Sequence, residues 1–101
     1  MKINFNYRKA VADAGKLDEF ARELEYLANN RIETVIENLG AAWKGESSTM
    51  MLGKCRSEKE KVLEHAAKLR DAASKLRSAA NQIRKAEEEA IELLKEKNMN
   101  K

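Results

Sequence analysis

The residue types that carry out most enzyme chemistry are scarce in this chain of 101 residues, and their spacing holds them apart. His65 is the one histidine and Cys55 the one cysteine. Both lie in a stretch with helical spacing, so their separation of ten positions amounts to about 15 Å, at 1.5 Å per residue. A nucleophile and its base must instead sit within hydrogen-bond reach. His65 is therefore expected at the surface or a boundary, and Cys55 as a small residue of the apolar stripe. Glu87, Glu88, Glu89 and Glu92 form an acidic patch, but no Glu-x-x-His pair of the kind that builds di-metal bundles accompanies them. Neither a phosphate loop nor a zinc spacing occurs. The chain reads as a non-enzyme with no cofactor, no metal and no small-molecule substrate.

Charge points to helical rods rather than to a polyanion. From Lys68 to Lys85 the bases Lys68, Arg70, Lys75, Arg77, Arg84 and Lys85 face a single acid, Asp71, and could track phosphates. The segment lacks the interleaved aromatic residues of single-strand binders, and the net charge of +3 is small. Nucleic acid is the rival reading from another class and is not preferred. From Leu17 to Leu39 the acids Asp18, Glu19, Glu23, Glu25, Glu33 and Glu37 outnumber Arg22 and Arg31. An acidic rod and a basic one can meet across a subunit boundary, or both can be solvated faces, where ion pairs contribute only about 0–1 kcal/mol.

These residues must be positioned by helices. The chain has no proline, four glycines and 37% charged residues, and it is rich in Ala, Leu, Glu, Lys and Arg, all strong helix formers. Ala10, Ala14, Leu17, Ala21, Leu24, Ala28, Ile32, Val35, Leu39 and Ala42 follow one another in threes and fours, the spacing of one helical face. Phe20, Leu27 and Ile36 widen it. The second half repeats more strictly: Val62, Ala66, Leu69, Ala73, Leu76, Ala80 and Ile83 form heptads with large and small residues alternating. Such alternation lets bulky side chains fill the space opposite small ones.

The spacing predicts one domain. Helix one covers about 6–43, a turn about 44–47 and helix two about 48–95, followed by a frayed polar tail. Asn4 or Asn6 is the expected first cap, and Ser47 or Ser48 the second. Gly45 is expected to stop helix one through a conformation closed to most residues. Gly40 and Gly53 are expected within helices. So short a connection makes an antiparallel hairpin.

Two such rods cannot enclose a core. Each presents a stripe wider than one partner covers, and two-fold pairing into a four-helix bundle buries the remainder. The fold class is all-α: an antiparallel two-helix hairpin that dimerises into a four-helix bundle. The interface residues expected for hairpin and dimer are Leu17, Leu24, Ala28, Ile32, Val35, Leu39, Val62, Ala66, Leu69, Ala73, Leu76, Ala80 and Ile83. Met1 to Ala10 has no apolar run of signal-peptide length, and no stretch has the roughly 18 apolar residues of a membrane span.

At the turn stands the one tryptophan, in "GAAWKGESS". Packing at the hairpin end is the plain reading of Trp43, and a docking knob for a partner is the alternative. The run Met50, Met51, Leu52 is expected to close over the bundle end. Trp43-Lys44-Gly45, midway between two long amphipathic helices, resembles the turn of the WXG (Trp-x-Gly, ESAT-like) family. The opening "INFNYRKAVADAGKLDEFARELEYL" is also similar to the family's start. The resemblance implies a hairpin that dimerises with itself or with a related WXG-like protein, and export through a type VII secretion system without a cleaved signal peptide. It implies Trp43 and Gly45 as the turn motif, with Trp43 taking part in recognition by the machinery and the secretion ATPase as a partner. The family's second signal, a later Tyr followed four positions on by Asp or Glu, is missing, since no aromatic residue follows Trp43. A signal-bearing partner, a variant signal and no export all remain open. A cytoplasmic partner or chaperone of a larger helical toxin is the alternative function.

Overall fold

The computed structural model describes residues 5–99, so Asn4 lies outside the described residues. Helix α1 spans Tyr7–Tyr26 and runs through a π-helical segment, Leu27–Ile32, into α2, Glu33–Ala42. After a short connection α3 spans Glu46–Met99. The chain is all-α and forms a helical hairpin about 85 Å long and 16 × 14 Å across. Helix α3 begins earlier than the spacing predicts and stays helical to Met99 instead of fraying after about residue 95. Helix α1 starts where a cap is available. The Asn6 side chain accepts from the Lys9 backbone N–H at 3.0 Å, satisfying one of the orphan donors of the first turn.

Small residues meet along the seam. Ala14, Ala21 and Ala28 of the first arm, and Ala66, Ala73 and Ala80 of α3, are almost wholly removed from solvent. Among the described residues no large side chain is fully buried. Asp18 pairs with Arg77 and Glu25 with Arg70, one heptad step apart on each helix and running in opposite directions. The buried alanines of both arms lie on the seam between these helices. Both arms thus put alanine into the seam and hold their large residues beside it, where the alternation predicts large residues set against small ones. Small side chains allow the axes to approach to about 8 Å, the near end of the usual range.

The seam divides the hairpin into two unlike edges. A residue four positions after a seam alanine is turned about 40° to one side, and a residue four before it about 40° to the other, at 100° per residue. On the first side lie Asp18 and Glu25 of α1 and Arg70, Arg77 and Arg84 of α3. On the second lie Leu17 and Leu24, with Val62, Leu69 and Leu76, all half-buried. Because the helices are antiparallel, like sides of the two coincide. One edge is closed by ions and the other is apolar.

Candidate functional site: the open apolar edge and the turn

The polar edge is built from a periodicity the sequence carries openly. Asp18, Glu25 and Glu33 recur along the first arm, and Arg70, Arg77 and Arg84 along α3. Arg77 donates to Asp18 at 2.5 Å, Arg70 donates to Glu25, and Lys59 donates to Glu33 at 2.8 Å. The hydrogen bond to Glu25 raises the Arg70 pKa above its ordinary value; burial opposes this, and the charges of Glu25 and Asp18 reinforce it. Acidic and basic rods therefore meet within one chain at these positions, an arrangement that neither the subunit-boundary reading nor the solvated-face reading of the charges described. Lys68 and Lys75 pair along their own helix with Glu64 and Asp71. The basic segment is largely partnered by carboxylates.

At the open end the Tyr7 hydroxyl donates to Asn81 Oδ1 at 2.9 Å. The Arg84 guanidinium lies over the Tyr7 ring, 4.6 Å from its centroid. This clasp fastens the start of α1 to α3, and the spacing of apolar residues gives no sign of it. A tyrosine at the first position of α1 and an arginine of the α3 basic row were the available signal.

The apolar edge contains most of the expected interface. Leu17, Leu24, Ile32, Leu39, Val62, Leu69, Leu76 and Ile83 are half-buried, while Ala28, Ala66, Ala73 and Ala80 lie in the seam. Outside this row, Phe20 is 56% exposed and Leu27 and Val35 stand out beside it. Val35 is 50% exposed and Ile36 only 5%. Within the hairpin Ile36 takes the place that regular spacing gives to Val35. The physical reason is the π-helical segment, which adds one residue between Ala28 and the next seam position. Toward the turn, Ile32, Val35, Met51 and Cys55 line an apolar groove flanked by Lys54 and Glu58. Cys55 is half-buried there rather than in the core, and His65 is exposed.

The first arm ends at Ala42, ahead of Gly45, which therefore does not stop it as the spacing predicts but leads into α3. Trp43 is extended and its N–H donates to the Leu39 carbonyl at 2.9 Å, ending α2. Gly45 has φ of +124°, which an L side chain rarely adopts. Its carbonyl then accepts from the Thr49 N–H at 3.1 Å and from the Ser48 hydroxyl at 2.7 Å. Ser48 thus donates to the start of α3 and does not cap it as an acceptor, and Ser47 is exposed. Trp43 is 43% exposed and lines a shallow surface with Ser47, Met50, Met51 and Lys54. The methionines do not close over the end: Met50 is 77% exposed, and only Leu52 turns in, 4.0 Å from where a Cβ on Gly40 would lie.

This combination of two long helices, a tryptophan ending the first and a positive-φ glycine two positions later has a match among protein families. The profile of WXG100, described as proteins of 100 residues with WXG, matches residues 2–88. The chain belongs to the WXG100 family. No curated protein and no solved structure matches it. As a WXG100 chain it is a small helical-hairpin protein of a family associated with type VII secretion. Among the described residues no group of three or more His, Cys, Asp or Glu is placed to hold a metal ion. Among those same residues, no helix is long and apolar enough to cross a membrane.

Proposed function

We infer that this WXG100 chain is a non-enzymatic substrate, adaptor or effector of a type VII secretion system, and that it works paired with a second copy of itself or with a related WXG100 protein. The observation that carries this reading is the inequality of the two edges. One is sealed by Asp18–Arg77, Glu25–Arg70 and Glu33–Lys59. The other leaves Phe20, Leu27 and Val35 in contact with water beside a continuous leucine row. Burying apolar area contributes about 25 cal/mol per Å², so covering this edge is the main free energy still open to the hairpin. Trp43 remains reachable at the turn and is the residue offered to the secretion machinery, with Gly45 shaping its approach. The chain is exported by that system.

A larger helical toxin carrying a similar apolar face is the alternative occupant, and the chain is then its cytoplasmic chaperone. Sedimentation of the purified chain, alone and as Phe20→Lys/Val35→Lys, tests the pairing. A dimer that the double variant converts to a helical monomer is expected, and a folded monomer of the parent at high concentration overturns the reading. Immunoblots of culture supernatant, with and without the secretion ATPase, separate an exported chain from a retained chaperone. Trp43→Ala is expected to abolish export while leaving the dimer intact.

A further inference from the structure

Every lengthwise row of the first arm lengthens one step at the same level. The seam runs Ala14, Ala21, Ala28 and then Ile36; the carboxylate edge runs Asp18, Glu25 and then Glu33. Each row takes a step of eight in place of seven. The added residue is housed in the π-helical segment Leu27–Ile32, whose turns close over five residues. Unaccommodated, it turns everything beyond it by about 100°, the angle of one helical residue. The segment has local support at both ends. The Leu27 N–H is shared between the Glu23 and Leu24 carbonyls. The Asn30 amide donates to the Tyr26 carbonyl at 3.2 Å, and the Thr34 hydroxyl donates to the Asn30 carbonyl at 2.5 Å.

The same residues hold a second, wholly α-helical solution. From Ala28, Val35 and Ala42 continue the seam in steps of seven, with Ile32 and Leu39 alongside. Val35 then enters the place of Ile36, a difference of one methylene. Beyond the buried Ile36, whose place Val35 can fill, α2 is tied to α3 by the Glu33–Lys59 pair, the small Gly40 beside Leu52, and a connection containing Gly45.

We propose that Leu27–Ile32 is a register switch, passing between π- and α-helical forms and thereby rotating α2 and Trp43 by about 100° relative to α1. In the π register Trp43 follows Ile36 by one heptad and belongs to the seam side. In the α register Ala42 holds that position and Trp43 turns toward the ion-paired edge. A partner on the apolar edge contacts Val35 only when it faces outward, and so favours the π register by its differential affinity. Occupancy of the edge is thereby reported at the turn. This coupling rests on the pairing read above, whereas the switch itself does not.

Deleting Asn29 removes the surplus residue and leaves a single register, α-helical throughout, with Ile36 in the seam. The switch is tested in the full chain carrying Cys55→Ala, using a thiol reagent against Ile36→Cys with and without the deletion, and against Ala73→Cys as a gauge of global opening. The deletion is expected to slow labelling at position 36 by about tenfold or more relative to position 73. Equal slowing at both positions, or none at 36, overturns the switch. Melting guards against misfolding: deletion of Asn29 leaves the Tm within about 5 °C of the parent or raises it, and deletion of Glu19 in regular α1 lowers it by more than about 10 °C. Similar losses for both deletions overturn the register assignment. Sedimentation of the Asn29 deletion reads the pairing separately, since a folded monomer with the labelling contrast intact refutes pairing and not the switch.

Discussion

The Asp18 carboxylate joins two guanidiniums one heptad apart: it accepts from Arg77 at 2.5 Å and its other oxygen lies 3.9 Å from Arg70. Arg70 also donates to Glu25, so the polar edge is a small network and not a set of isolated pairs. The raised pKa of Arg70 means that its stabilisation is fully present below the unfolded-state value and is lost only as pH rises through the folded-state value. An arginine reaches neither in ordinary buffers, so Arg70 stays charged to strongly alkaline pH.

Removing the shared acid is expected to loosen this network. Asp18→Asn costs about 1 kcal/mol, the upper part of the range for solvent-facing pairs, and lowers the Tm by about 4–8 °C. At 1 M salt, where charges are screened beyond about 3 Å, the gap between variant and parent narrows. Thermal melts at two salt concentrations check both statements.

The alanine seam predicts intolerance of bulk. Ala73 is fully buried against the first arm, and Ala73→Leu forces the helices apart at a cost of about 1–3 kcal/mol or more. Ala12→Leu, on the exposed side of α1, changes stability by less than about 0.5 kcal/mol. Urea unfolding of the two variants side by side shows the contrast.

The clasp at the open end separates into two parts. Tyr7→Phe loses the hydrogen bond to Asn81 but keeps the ring beneath Arg84, and costs about 0.5–1 kcal/mol. Tyr7→Ala loses both and adds about 0.5–1 kcal/mol more for the cation–π contact. Amide exchange in the first turns of α1 is expected to accelerate in the same order.

Gly45→Ala isolates backbone conformation from packing, because a Cβ there meets nothing within 4 Å. The φ of +124° alone makes the change unfavourable, by about 1–3 kcal/mol. Gly53→Ala, within α3 and equally free of neighbours, is expected to stabilise the chain by up to about 1 kcal/mol. Opposite shifts in Tm are the outcome to look for.

How far the fold was legible follows from which interactions are local. Helical period, the cap at Asn6 and the chain reversal around Gly45 depend on residues within a turn of one another, so spacing and residue type reveal them. Which part of a wide apolar stripe becomes the seam is not local. Ala73 and Leu69 carry the same period, and only the close approach of a second helix favours the smaller side chain there. The apolar spacing did carry a mark of the π-helical segment, in the two successive steps of four from Leu24 through Ala28 to Ile32. Spacing alone reads them as drift.

The sequence by itself determined that this protein is two amphipathic rods joined at Trp43-Lys44-Gly45, because helix formation and chain reversal answer to near neighbours. The tertiary structure alone decided that alanine lines the seam from both arms, that Asp18 and Glu25 are satisfied within their own chain, and that Ile36 rather than Val35 turns inward. Those choices depend on the distance and register between helices whose contacting residues, such as Tyr7 and Asn81, lie as much as 74 positions apart or more, and no property of either strand of sequence taken separately contains that distance.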